Sequence, residues 1–244
     1  MLKVQIQEQI AILSLDRPDK RNAMTPEMLT MLDAEIKNCA SSVRALVILG
    51  EGKTFCAGFD LKQCADDPSG GTMRQLLTGL STVVRTMRAI EIPIILGVHG
   101  AAVAGGCAIL GGADIVVADE HAKLGYPVVK IGVSPAVSAA FMMASFSPGA
   151  VRTLLVDTEL ISGLEAKRIG LVHETVPNRD DVRCRCIEIA QELASKPGIA
   201  CGATKAWLNE IVEPMTNNAQ EGLETSLSLT GTPEEQERLA ALWG

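Results

Sequence analysis

Residues 92–132 constrain this chain more than any other stretch, because two glycines stand there between a strand-like run and a short apolar helix. The run 94–98 (Ile-Ile-Leu-Gly-Val) is β-branched and free of charge, which predicts a strand covered on both faces. Small residues, Ala101-Ala102-Val103-Ala104, then fill a turn. Gly105 and Gly106 precede an apolar helix that ends near Gly111-Gly112, and another strand-like run follows over 114–118. Glycines at such a junction let the backbone approach another group closely, with free N–H groups at the positive helix end. Two uses fit: a tight strand-to-helix crossover, or a pocket for negative charge. This stretch alone does not choose between them.

A chain of 244 residues can bury one sizeable core, or a core with a small appendage. The hydrophobic content of 47% with 21% charged residues is that of a globular protein rather than a disordered one. A net charge of −7 argues against nucleic acid as a partner, since phosphate contacts need clustered Lys and Arg. No signal-peptide pattern opens the chain and no apolar run reaches membrane-span length, so a cytoplasmic protein without a membrane partner is expected. The seven cysteines are scattered and form no CxxC pair, and there are three histidines. That pattern speaks against both a disulfide framework and a bound metal.

Residues 2–6 and 10–15 alternate like two strands around a Glu8-Gln9 turn. A polar loop, 17–24, leads to Thr25-Pro26-Glu27: an N-cap, a proline at the first helical position and an early acid. The helix should reach about residue 38 and bury Met28, Leu29, Leu32 and Ile36. Residues 43–49 read as a buried strand. Residues 62–72, with Asp66, Asp67, Pro68 and two glycines, have the composition of a mobile loop. A long amphipathic helix over 73–90 feeds the strand at 94. Helical patterns follow at 135–145, 149–155 and 163–169, then a last strand at 171–176. Helices over 179–195, 199–211 and 216–242 close the chain, the last broken near Gly231-Thr232-Pro233. Repeated strand–helix units before an all-helical tail imply an α/β core, with a mixed, layered or spiral sheet rather than a plain doubly wound one. The boundary is expected near 195, dividing a core (1–195) from a helical cap or assembly region (196–244).

Several ordered segments resemble the crotonase superfamily, also called the enoyl-CoA hydratase/isomerase family. They are Asp16-Arg17-Pro18 with Asn22-Ala23-Met24, Phe55-Cys56-Ala57-Gly58-Phe59-Asp60-Leu61, and Gly97-Val98-His99-Gly100 with Gly105-Gly106-Cys107. Ala113-Asp114-Ile115, Leu124-Gly125-Tyr126-Pro127, Ile131-Gly132 with Pro135, and Ala166-Lys167 with Gly170-Leu171-Val172 complete the series. The resemblance implies a spiral of ββα units with a C-terminal helical region, assembled as a homotrimer or a hexamer. It also implies a coenzyme A thioester as substrate, with no separate cofactor and no metal, and an enolate stabilised by two backbone N–H groups. By resemblance those groups fall at Ala57 and Gly105. Such donors are typically worth a few kcal/mol each. The same resemblance lays the CoA along Lys20, Arg21 and Ala23 and along Ala57, Gly58, Phe59, Asp60, Leu61 and Gly105. Lys20, Arg21 and Lys62 are each either phosphate partners or exposed cations. Asp60 is expected to fix its loop by accepting backbone N–H bonds.

The chain departs from the family's hydratases at two places. They carry one glutamate just after the Gly-Gly-Cys run and another after the Gly-x-Pro. Here those positions hold Ala108 and Val128. Adding water to an enoyl thioester needs a group that takes a proton from water and one that delivers a proton to the α-carbon. Alanine and valine do neither, so ordinary hydratase activity is not expected. Tyr126, the one tyrosine, is either a packing aromatic or a pocket group; Lys130 should be exposed and Ser134 a helix cap. Asp66 and Asp67 are either solvated or brought in on loop closure. Cys56 and Cys107 read as buried, inert thiols, and His99 as a structural hydrogen bonder. Three functions stay open: an enolate-forming enzyme of the lyase or isomerase kind, a decarboxylase of a malonyl-type thioester, and a thioester-binding protein without catalysis.

Overall fold

The computed structural model describes residues 1–242. The N-terminal half alternates strands and helices: β1 (Leu2–Gln7), β2 (Ile10–Leu15), α1 (Pro26–Ala40), β3 (Ala45–Gly50), α2 (Leu61–Ala65), α3 (Gly71–Ala89), β4 (Ile94–Val98), β5 (Ala101–Val103) and α4 (Gly105–Ala108). There follow β6 (Ile115–Asp119), β7 (Lys123–Gly125), α5 (Ala136–Ser145), α6 (Pro148–Val156), β8 (Ile161–Ser162), α7 (Gly163–Arg168) and β9 (Glu174–Val176). Helices α8 (Asp181–Ala194), α9 (Gly198–Thr216), α10 (Ala219–Ser228) and α11 (Pro233–Ala240) end the described chain.

Six strands form one sheet in the order β1-β2-β3-β4-β6-β9, parallel except for the antiparallel hairpin β1–β2. Strands β2, β3 and β4 are buried at every position, which explains their apolar runs, broken only by Ser14 in β2. One face packs on α1 and α3 through Leu13, Leu46, Ile48, Met28, Leu32 and Leu80. The other packs on α8 through Ile12, Val47, Ile95, Val182 and Cys186. A second sheet, β5-β7-β8, stands off the first. The mixed α/β architecture with a helical C-terminal region is the one the sequence led us to expect.

Helix α1 starts as its residues dictate. The Thr25 hydroxyl accepts from Met28 N at 3.2 Å, Pro26 follows the cap, and Met28, Leu29, Leu32 and Ile36 are buried. Two expectations need correction. Residues 101–103 are not a turn but strand β5, paired with β7 and bridged from Ala102 to Cys56. Residues 62–72 are not an open loop: they hold most of α2 and a turn tied down by Asp67. That carboxylate accepts from Ser69 N, Thr72 N (2.7 Å) and Thr72 Oγ1 (2.9 Å), and the Ser69 and Thr72 bonds hold its pKa down to about 2.

The C-terminal helices are bound to this core by polar anchors. Lys205 on α9 is buried, and its Nζ donates to Met87 O, Ile92 O and Asp114 Oδ2 at 3.0, 2.9 and 2.8 Å. On α10 the Ser226 hydroxyl donates to Ser134 O and accepts from Val137 N, fixing the start of α5. The last described residue, Leu242, reaches a cavity between the two sheets' helices.

Candidate active site

The 17–24 loop and the 54–60 segment lie side by side because Asn22 is buried between them. Its Nδ2 donates to Glu51 O (2.9 Å) and Thr54 O (2.7 Å), and its Oδ1 accepts from Arg17 N (2.8 Å). Asn22 and Arg21 both take positive φ, +53° and +51°, to make the turn. One rung then joins the segments: Met24 N donates to Gly58 O at 2.8 Å, and Asp60 N donates to Met24 O at 2.9 Å. In that arrangement the N–H of Phe59, between the two bonded groups, faces away from Met24. It finds no acceptor among the described residues.

The Ala57 N–H behaves differently. It donates to Arg21 O at 3.0 Å, so it is not free to hold a ligand, and the expectation placed on it is corrected. The free amide in this segment is two residues on, at Phe59.

Across the gap, the sharp junction between β5 and α4 presents Gly105. Ala104 adopts φ +52° and ψ −117°, a conformation that costs an L-residue about 1–3 kcal/mol. It is held there from both sides. Its N–H donates to Gly125 O at 2.8 Å, and its carbonyl accepts from Cys107 N and Ala108 N, each at 2.9 Å. Gly105, the first residue of α4, has no acceptor for its own N–H among the described residues. The missing side chain matters here: a Cβ would stand 2.6 Å from Met24 Cε and 2.9 Å from Phe59 Cε1, so any larger residue displaces those two side-chain ends. Gly58, at φ +99°, passes close by; a Cβ there would stand 3.8 Å from Gly105 N.

The two junctions open on a cavity of about 300 Å³. Of the expected site residues, Ala57, Phe59, Leu61, Gly105, Ala108 and Val128 line it, while Lys20, Arg21, Ala23, Gly58 and Asp60 do not. Lys20 and Arg21 are exposed on the adjoining turn. Asp60 does fix its loop, but through a side-chain partner: its Oδ2 accepts from Arg17 Nη2 at 2.9 Å rather than from backbone N–H groups. The remaining wall was not anticipated. Met73, Leu77 and Leu80 of α3 line it at helical spacing, with Val137 and Ser138 of α5 opposite. The spacing was visible in the sequence; which face it served was not.

No carboxylate lines this cavity among the described residues. Its polar side chains are Tyr126, Lys130, Ser134 and Ser138. The Ser138 hydroxyl donates to Pro135 O at 3.1 Å and Ser134 Oγ accepts from Ala136 N, a capping role. Lys130 is exposed and loosely paired with Glu159 at 3.7 Å. Tyr126 lines the wall with its ring, while its hydroxyl is shut away without a hydrogen-bond partner. Burial, with Cys107 close by, pushes that phenol well above its ordinary pKa. A phenol so placed stays protonated and is no base. Burial likewise pushes the Cys56 and Cys107 thiols up to about 12, so both are inert. His99 Nε2 faces Gly52 O at 3.1 Å and serves structure. Asp66 and Asp67 stay outside the cavity.

The fold thus places two residues whose backbone amides have no acceptor among the described residues, Phe59 and Gly105, on the wall of one apolar chamber. The chain belongs to the enoyl-CoA hydratase/isomerase family, whose model matches residues 5–240. It is similar to the crotonyl-CoA hydratase of Syntrophomonas wolfei, at 31% identity over 84% of this chain and 79% of that protein. The 2,3-dehydroadipyl-CoA hydratase of Escherichia coli K12 is 28% identical over 87% and 83% respectively. Among solved structures, an enoyl-CoA hydratase/isomerase from Xanthobacter autotrophicus Py2 superimposes with a TM-score of 0.90. It shares 24% identity and covers 98% of this chain and 91% of that one.

Proposed function

We propose that this protein binds an acyl-CoA thioester, with the thioester oxygen accepting from the N–H groups of Phe59 and Gly105, and stabilises its enolate. The observation that carries the reading is the pair of unpaired amides on adjoining turns, each held rigidly by bonds to its neighbours. Donors fixed in advance at a developing oxyanion need no reorganisation as charge builds, which is where such sites gain their effect. Lys20 and Arg21, exposed beside the turn, suit the phosphates of the CoA, and the acyl chain enters the apolar chamber.

The reaction is not ordinary hydration. Where the family's hydratases place glutamates, Ala108 and Val128 line the chamber, and no carboxylate stands in for them among the described residues that line it. Decarboxylation of a malonyl-type thioester asks least of such a wall. The C–C bond pair stays on the α-carbon as CO2 leaves, the two amides take up the enolate charge, and a proton from solvent water then completes the α-carbon. An apolar wall also raises the ground-state energy of the departing carboxylate. A second reading, binding without turnover, is favoured by the burial of the Tyr126 hydroxyl, since that phenol is closed off from solvent and held protonated.

The test is to incubate the purified protein with crotonyl-CoA and with methylmalonyl-CoA. We expect no hydration of the first and loss of CO2 from the second. Saturable thioester binding without turnover on either would select the binding reading. Hydration at rates typical of enzymes would overturn the reading of Ala108 and Val128.

We further propose that residues 196–244 form a cap and assembly region through which copies of the chain associate as a trimer or hexamer; residues 243–244 lie outside the described ones. Support comes from α9, where Ile199, Trp207, Leu208, Ile211 and Met215 are all exposed.

A further inference from the structure

We infer that Arg17 is a positioning residue for the Phe59 amide, acting through both strands of the rung that aims it. This rests on the thioester reading above.

The direction of the Phe59 N–H is set by one rung, Met24 N to Gly58 O and Asp60 N to Met24 O. Such a short ladder between two loop segments is weak by itself, since the one further backbone bond between them, Ala57 N to Arg21 O, lies on the Gly58 side and nothing continues it beyond Asp60. The Arg17 guanidinium supplies what the ladder lacks. Its Nη1 donates to Ala23 O, one residue before Met24, and its Nη2 donates to Asp60 Oδ2 at 2.9 Å, one residue after Phe59. One planar fork therefore grips both strands at the rung's two flanks. Its backbone N–H adds a third hold, on Asn22 Oδ1 at 2.8 Å.

The arrangement excludes the usual alternative for an arginine beside an expected CoA site. Only 17% of the Arg17 side chain and 16% of the Asp60 side chain are exposed. Both η-nitrogens are committed within the protein, so Arg17 is not a free phosphate ligand. Lysine cannot reproduce the grip, since a point ammonium lacks the flat two-pronged geometry that meets a carbonyl and a carboxylate together. The expected effect of loosening it is a displaced donor, and displacements of about 1 Å are felt strongly where charge develops.

The test uses a para-amino cinnamoyl-CoA thioester, whose absorption band moves to longer wavelength when its carbonyl is polarised. Bound to the unaltered protein, the probe should shift. Arg17→Met should bind the probe but lose most of the shift, and Arg17→Lys should fall between. A merely structural role would lower the unfolding temperature while leaving the band of the bound probe where it was. If Arg17→Met does not fold, Arg17→Lys and Asp60→Asn decide the matter by the same band. Folded variants that all bind the probe with the unaltered shift overturn the inference alone. An unaltered protein that binds no probe, or binds it without a shift, overturns the thioester reading and this inference with it.

Discussion

The Phe59 ring rests against Gly105, so close that a Cβ on Gly105 would stand 2.9 Å from Phe59 Cε1. Gly105→Ala therefore drives a methyl group into the Phe59 ring edge and Met24 Cε, disturbing both turns that carry the proposed donors. Met24 Cε and the ring edge can give way, so the fold should survive at a cost of about 1–3 kcal/mol. Calorimetric titration with butyryl-CoA should show binding abolished in a variant that still unfolds cooperatively. Retained affinity would move the proposed oxygen site elsewhere.

Ala104 carries backbone strain that a glycine would relieve. Ala104→Gly should raise stability by about 1 kcal/mol, the gain from φ +52° exceeding the entropy glycine loses on folding. The urea midpoint should rise at unchanged slope, while thioester binding weakens as the Gly105 amide loses its fixed direction. A lower midpoint would show that the bonds to Gly125 and Cys107 tolerate the angle at little cost.

Lys205 fastens α9 to the core through three acceptors, one of them the Asp114 carboxylate. Lys205→Met keeps the aliphatic stem and removes the ammonium, leaving two carbonyls and a carboxylate short of a donor. Because Asp114 is itself partly exposed, the expected loss is about 3 kcal/mol, at the lower end for a broken buried pair. Equilibrium urea unfolding measures it, and an unchanged midpoint would refute the anchoring role.

Acid should weaken the protein through His99. Burial holds its imidazole below the ordinary value of 6.5, outweighing the pull of the Gly52 carbonyl and Asp119. The unfolded chain then binds a proton that the native state resists, so stability rises as pH climbs to about 6.5 and levels off above. His173, also lowered by burial, contributes in the same direction. Urea midpoints over about pH 5 to 8 should show this slope, and His99→Asn should flatten part of it. A slope indifferent to that substitution would count against the assignment.

The apolar side of α9 offers a direct check on assembly. Ile211→Glu should convert an associated species into monomer in sedimentation experiments, with the far-ultraviolet spectrum unchanged. Finding the unaltered protein monomeric at micromolar concentration would end the assembly proposal.

Much of the fold could be read from local pattern, because local pattern had a physical cause. Ile94 to Val98 is buried on both faces and reads so; Thr25-Pro26 caps and starts α1 as those side chains require. Strand β5 could not be read this way. Ala101-Ala102-Val103 has no bulky periodicity, and its extended form is imposed by Cys56 on one side and β7 on the other. The site shows the same division. The small residues around Gly105 and the apolar side chains at 108 and 128 are legible in the sequence, whereas in the other turn the amide expected to be free, Ala57, is bonded and the one without an acceptor among the described residues is Phe59. A sequence names every N–H but not which ones are already bonded. The acceptor for Ala57, the Arg21 carbonyl, lies in a different loop. Asp60 and Arg17 likewise find each other across 43 positions.

Strand β2 is buried along its whole length and bonded on both sides, to β3 within the core and to β1 at the rim. The short hairpin strand, exposed at four of its six positions, thus shields a buried, mostly apolar ribbon from strangers. Any damage that peels β1 away would bare a ready template for another chain, so solubility rests on six residues that never approach the chamber.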